Sequence, residues 1–165
     1  MKKRLLSLYV ENEIGVLAKI SGMFSGKSYN LKSLTVGETE DTTVSRMTLC
    51  VEGDDQTFEQ IKKQLNRCIE VIKVIDLTNA AVQMKEILFL KVSGCNEKDR
   101  NELFHIADVF QVKVVDYGQD SLLLECTQTE ARNNDIIKLI SGKFNKIEVV
   151  RGGNVAIESL RATER

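Results

Sequence analysis

Apolar and polar residues alternate from Arg4 to Glu11, placing Leu6, Leu8 and Val10 on one face of a predicted strand and Leu5 and Tyr9 on the other. Asn12-Glu13-Ile14-Gly15 interrupts that period. Val16, Leu17, Ile20, Met23 and Phe24 then recur at helical spacing, with Gly26 and Lys27-Ser28 as stop signals. Leu31 to Glu38 and Val44 to Glu52 read as two strands joined by the polar hairpin loop Thr39 to Thr43. In the second of these, Met47, Leu49 and Val51 alternate with Arg46, Thr48 and Cys50. Gly53-Asp54-Asp55 supplies a turn and a helix cap, and Phe58, Ile61, Leu65 and Cys68 follow at intervals of three and four. Val71 to Leu77 closes the set as a strand.

The same order then repeats. Residues 78 to 85 read as a connection, Glu86 to Ser93 as a strand, and Glu97 to Phe110 as a helix bearing Leu103, Ile106, Ala107 and Phe110. Val112 to Tyr117 and Ser121 to Cys126 are strands joined through Gly118-Gln119-Asp120. Glu130 to Lys143 is a helix with Ile136, Ile137 and Ile140 on one side, and Lys146 to Arg151 is the last strand. Gly152 to Arg165 reads as a polar tail, frayed or docked elsewhere. Two βαββαβ units make an α+β protein of two tandem ferredoxin-like domains, 1–78 and 86–165, with a linker at 79–85. Units of about 70 residues have a narrow stability margin, and bare sheet edges invite association, so a C2 dimer is expected.

Composition narrows the function. With 23 Lys+Arg against 24 Asp+Glu, the chain has no overall basic field for nucleic acid. No apolar run approaches the roughly 18 residues of a membrane span, and the segment after Met1-Lys2-Lys3-Arg4 is too short for a signal-peptide core, so a cytoplasmic protein is expected. Cys50, Cys68, Cys95 and Cys126 lie far apart without metal-ligand spacing and read as reduced, buried small hydrophobes. His105, the single histidine, lies in a helical pattern, and no nucleophile, metal or phosphate-loop motif occurs. No catalytic or metal-binding residue is expected.

The loop Glu11 to Leu17 offers binding chemistry instead. Backbone N–H groups at a helix start attract a carboxylate, Gly15 allows close approach, and the Asn12 amide both donates and accepts. A free amino acid fits those features. On loop chemistry alone, however, the stronger reading is that Asn12 caps the helix and Gly15 permits the turn. A few charge-assisted hydrogen bonds of about 1.5–3 kcal/mol each and one buried aliphatic group suit micromolar to millimolar affinity.

Asn12-Glu13-Ile14-Gly15-Val16-Leu17, Phe24-Ser25-Gly26-Lys27-Ser28-Tyr29-Asn30-Leu31, Ser33-Leu34-Thr35-Val36 and Ser45-Arg46-Met47-Thr48, in that order, resemble the small, regulatory subunit of acetolactate synthase (acetohydroxyacid synthase). The first segment is shared with the wider class of ACT amino-acid-sensing domains; the ordered series is more specific. The second half matches by layout more than by motif. Lys27-Ser28 departs from the Arg-Gly usual before the Tyr-Asn pair, and the hairpin lacks the proline often seen.

The resemblance implies a non-catalytic partner of a large catalytic subunit. That subunit would hold thiamine diphosphate, magnesium and FAD, and this chain no cofactor. It further implies activation of the large subunit, feedback inhibition by valine, and a homodimer through the ACT domains with the effector at their seam. Carried over by position, Asn12 and the backbone around Gly15, Val16 and Leu17 would hold the amino acid's polar end. Asn30 and Leu31 would complete the site, with Asn30 from the neighbouring protomer. Asn30 in a tight turn, Leu17 and Ile20 in the apolar stripe, and a solvated Arg46 are the plain structural alternatives. The contrasting function is a free-standing double-ACT regulator, such as a repressor of glycine cleavage.

Overall fold

The computed structural model describes residues 2–25 and 30–160, so the stop signals at Gly26 and Lys27-Ser28, and Tyr29 of the resemblance, lie outside the described residues. In the first half the elements are β1 (Lys2–Glu11), α1 (Val16–Ser25), β2 (Asn30–Glu38), β3 (Val44–Gly53), α2 (Asp55–Leu65) and β4 (Val71–Asp76). The second half follows with β5 (Val82–Ser93), α3 (Glu97–Phe110), β6 (Lys113–Tyr117), β7 (Ser121–Gln128), α4 (Glu130–Ser141) and β8 (Ile147–Glu158). The two four-stranded sheets have the same order, β2-β3-β1-β4 and β6-β7-β5-β8. Their registered pairs are antiparallel. Each half is therefore the expected ferredoxin-like βαββαβ unit.

Period two decides which side of each sheet the helices cover. Leu6, Leu8 and Val10 of β1 and Met47, Leu49 and Val51 of β3 form one core with Val16, Ile20 and Phe24 of α1 and Phe58, Ile61 and Leu65 of α2. Leu88, Leu90 and Val92 of β5 and Leu122, Leu124 and Cys126 of β7 build the matching core with Leu103 and Ile106 of α3 and Ile136 and Ile140 of α4. Removing each such side chain from water contributes about 1.5–3 kcal/mol, which is why these strands hold their register.

Two boundaries and one side chain differ from the sequence reading. β5 begins at Val82, inside the stretch read as a connection, and β8 runs to Glu158, taking in seven residues of the stretch read as a tail. Leu17 is 45% exposed, so it is not part of the apolar stripe that buries Val16 and Ile20. Contacts divide the chain into two compact units: residues up to Met84 together with those from Asn154 onward, and Lys85–Gly153. The end of β8 thus belongs to the first unit, where the Thr35 hydroxyl donates to the Asn154 carbonyl at 2.8 Å. Asn154 and Ala156 are buried while Val155 and Ile157 are exposed. On the helix-free face of the first sheet Ser7, Thr48 and Cys50 are also buried, and Ser7 accepts from Arg46 Nε at 2.8 Å.

Candidate functional site

The loop between β1 and α1 is fastened to the β2–β3 hairpin through Asn12. Its backbone N–H donates to the Thr43 carbonyl at 2.8 Å, and its amide donates to the Thr42 carbonyl at 2.9 Å and to Glu38 Oε1 at 3.1 Å. The Ser45 hydroxyl donates to Asn12 Oδ1 at 2.9 Å. Asn12 therefore braces the loop instead of capping α1, and Glu38, Thr42 and Ser45 are positioning residues that sequence reasoning did not single out. Asp41 stiffens the hairpin tip: Thr43 donates to it through its hydroxyl and its backbone, and those bonds hold its carboxyl below the ordinary value.

Gly15 has φ +91°, a conformation that L side chains rarely adopt, and a Cβ built on it would meet nothing within 4 Å. Val16 turns its side chain into the core, leaving only its backbone toward the loop. Ile14 is fully exposed, and with the exposed Leu17 it gives the loop an apolar rim. No acidic residue occupies the first turn of α1, whereas α2, α3 and α4 carry Asp55, Glu97 with Asp99, and Glu130 there. The positive end of the α1 dipole thus lacks the usual local carboxylate. A carboxylate beside an open, positive-φ glycine, with an aliphatic branch near Ile14 and Leu17, suits this geometry.

Asn30 and Leu31 lie elsewhere. Asn30 opens β2 beside Glu52, whose carboxylate accepts from its amide at 3.3 Å and also meets Lys32 at 3.3 Å. Leu31 packs against the first core. Glu11 pairs with Val44 at one end of β3, and Asn30 pairs with Glu52 at the other. Eight residue steps of antiparallel strand separate them, roughly 27 Å. Within one chain the six residues form two groups at opposite ends of the sheet. β2, which carries the second group, is a sheet edge with Val36 exposed.

The corresponding loop of the second unit is finished by its own side chains. Asn96 accepts from the Asp99 backbone at 3.0 Å and Asp99 accepts from the Asn96 backbone at 3.0 Å, a reciprocal capping box with Glu97 beside it. Polar chemistry in this unit gathers instead at the start of β5. Glu86, nearly fully buried, accepts from Arg151 through both carboxylate oxygens at 2.8 and 2.7 Å, and from the Asn133 amide at 3.1 Å. Hydrogen bonding to Glu86 holds Arg151 above its ordinary pKa. A buried Glu in a strand otherwise spaced for Leu88 and Leu90 was the available signal, and the sequence reading passed over it. His105 is exposed on α3. All four cysteines are free, with Cys68 half-buried and the others buried. Among the described residues no cluster of His, Cys, Asp or Glu could hold a metal ion, and no helix is long and apolar enough to cross a membrane.

Comparison with known proteins bears on both halves. Residues 6–73 match the family model of the AHAS small subunit-like ACT domain, and residues 85–160 match that of the small subunit of acetolactate synthase. The chain is 40% identical over 157 residues to the acetolactate synthase small subunit of Aquifex aeolicus, covering 95% of this chain and 81% of that one. It is 39% identical over 155 residues to the probable acetolactate synthase small subunit of Archaeoglobus fulgidus, covering 94% and 96%. The crystal structure of the acetolactate synthase small subunit from Thermotoga maritima superimposes with a TM-score of 0.85 at 31% identity, covering 96% of this chain and 98% of that one. The chain belongs to the acetolactate synthase small-subunit family, and its first unit is an ACT domain.

Proposed function

We propose that this chain regulates a thiamine-diphosphate-dependent acetolactate synthase large subunit, raising its activity and making it sensitive to feedback inhibition by valine. The effector binds at a seam between the ACT domains of two copies. The carrying observation is the separation of the two halves of the site: Asn12 and Gly15 at one end of the sheet, Asn30 and Leu31 at the other. A two-fold axis beside the free edge of β2 reverses the second copy end for end. The partner's Asn30 and Leu31 then meet this chain's Gly15 loop. The α-carboxylate faces the start of α1, the Asn30 amide meets the same polar end, and the aliphatic branch lies near Ile14 and Leu17.

Valine acts by shifting a population. It must bind the arrangement of ACT domains that inhibits more tightly than the one that activates, since equal affinity for both would shift nothing. Thiamine diphosphate, magnesium and FAD belong to the large subunit in this reading, and this chain supplies no reacting group. Placement in the cytoplasm, in the biosynthesis of branched-chain amino acids, completes the reading.

Mixing two defective chains tests the seam. Gly15→Asp and Asn30→Ala, each reconstituted with the large subunit, are expected to lose or weaken valine inhibition. The second loses a charge-assisted hydrogen bond of about 1.5–3 kcal/mol, roughly 10–100-fold in affinity. A mixed dimer combines the Gly15 loop of one chain with the Asn30 of the other and regains one intact site. Partial return of valine inhibition on mixing is expected; no return at any ratio would place the site within one chain and overturn the seam.

A further inference from the structure

The Asn12 side chain has no donor left to give. Its amide N–H groups go to the Thr42 carbonyl at 2.9 Å and to Glu38 Oε1 at 3.1 Å, oxygens that only accept. Turning the amide over would set its own oxygen against those two acceptors, so its neighbours fix the orientation. Beyond these bonds Asn12 presents acceptor capacity. Its Oδ1 takes one hydrogen bond, from the Ser45 hydroxyl at 2.9 Å, and has a second lone pair. Glu38 adds a full negative charge beside it. A ligand's carboxylate finds no partner among these oxygens; an ammonium does.

Strand register brings Glu38 here. It pairs with Ser45 across the β2–β3 hairpin, Ser45 pairs with Val10, and Asn12 follows two residues after Val10. Three segments far apart in sequence thus meet at one end of the first sheet. Other carboxylates of this loop and hairpin are less suited to a ligand. Asp41 is occupied by Thr43, and Glu13 is exposed with no partner among the described residues to hold its side chain in place. Glu38 is held by the neutral Asn12 amide, and among the described residues it has no cation partner. It is fixed in position with its charge unanswered.

We infer that Glu38, together with Asn12 Oδ1, receives the α-ammonium of the effector and makes the site select an amino acid over the carboxylic or 2-oxo acid of the same skeleton. This role rests on the effector site proposed above and gives the effector's nitrogen its partner. Ammonium and carboxylate hang on one carbon, so the acceptors for one have to lie beside the donors for the other. A turn closed by the Val16 N–H on the Glu13 carbonyl at 3.3 Å meets that need, with Asn12 just before it and the start of α1 just after. A zwitterion satisfies both ends at once. An acid without the amino group brings its charge toward Glu38 and leaves that carboxylate unanswered, so it is rejected twice over.

Calorimetry on the full-length chain, with valine and with 3-methylbutanoate (the same skeleton without the amino group), tests this role. Glu38→Gln keeps an oxygen for the Asn12 amide and removes the charge. Valine is expected to bind it about ten- to hundredfold more weakly than the parent, and 3-methylbutanoate no more weakly, so the preference for the amino acid shrinks. Glu38→Asp, which keeps the charge on a shorter arm, should fall between, and Glu13→Gln should show the parent's preference. Hydrogen exchange at the Asn12 backbone amide, bonded to the Thr43 carbonyl at 2.8 Å, should stay as slow in Glu38→Gln as in the parent. Valine binding unchanged by Glu38→Gln overturns the role. So does a loss accompanied by faster exchange, which would make Glu38 a brace of the loop and nothing more, or a preference lost in Glu13→Gln instead. Valine binding kept in Glu38→Gln but lost in Gly15→Asp removes the role of Glu38 and leaves the effector site. The reverse pattern removes the helix-start site and leaves Glu38 reading an ammonium, and a parent chain that binds no valine overturns both.

Discussion

The first helices of the two units start in the same topological place and are finished in opposite ways. Asn12 turns its side chain to the hairpin and leaves α1 with no acid in its first turn; Asn96 caps α3 and is answered by Asp99. One fold thus gives an open anion-attracting helix start in the first unit and a self-satisfied one in the second. The second loop gains stability, and in the proposed reading the first keeps its donors for the effector. A similar exchange occurs beneath the second helices. Arg4 lies 5.1 Å over the Phe58 ring, while the aligned positions in the second unit hold Glu86 and Asn133, hydrogen-bonded at 3.1 Å.

The largest expected effect is at Gly15. Gly15→Asp puts a carboxylate where the proposed site receives the effector's own, and valine inhibition of the reconstituted enzyme is expected to disappear while activation persists. An inhibition curve unchanged from the parent would make the two helix starts equivalent and remove the contrast.

Arg151→Met leaves the buried Glu86 carboxylate without its two charged hydrogen bonds. A loss of about 3 kcal/mol in denaturant stability is expected, near the lower figure for breaking a buried pair because Arg151 itself is partly exposed. Arg4→Met removes a bond to the exposed Asp55 and a cation–π contact, about 1 kcal/mol together. Equal losses would show that the two sites differ in chemistry but not in dependence on it.

Asn96→Ala should cost about 1 kcal/mol through the lost cap and leave valine sensitivity unaltered. Asn12→Ala should weaken valine binding, measured by calorimetry, because the loop loses its hairpin brace. If the alanine at 96 altered valine response, the second loop would be a sensor after all.

The smallest contrast is in pH. The Lys19 ammonium, 2.5 Å away, holds Glu70 below its ordinary 4.5. Hydrogen bonds from Thr57 at the start of α2 hold Asp54 below 3.8. Both lie in the first unit, as does Asp41. A depressed carboxylate contributes stability above its unfolded value and loses it as pH falls through the folded one. In the second unit burial pushes Cys126 from 9.0 up to about 11, a contribution present below pH 9.0 and lost as pH rises toward 11. Hydrogen exchange read segment by segment should show the first unit loosening first in acid and the second first in alkali.

Element order was legible because strand and helix periods differ, and Leu6-Leu8-Val10 and Leu88-Leu90-Val92 announce the covered faces directly. The end of β8 was not. Gly152-Gly153 reads as a break, and beyond it the large residues Val155 and Ile157 face out while Asn154 and Ala156 face in. That inverted pattern belongs to the first unit, where Thr35 donates to the Asn154 carbonyl, a partner no local window contains. Leu17 was misread for a related reason: it shares the helical spacing of Val16 and Ile20 but falls at the edge of the stripe, facing the loop.

Sequence alone determined the two βαββαβ units, the family and the candidate residues, because hydrophobic period and ordered short motifs are local properties of the chain. Tertiary structure decided what those residues can do. It turned Asn12 from a cap into a brace, parted Asn30 from Gly15 by the length of a sheet, and sent the end of the last strand back to the first unit. Each of those outcomes depends on which strands become neighbours, and neighbours across a sheet are chosen by burial among residues far apart in the chain.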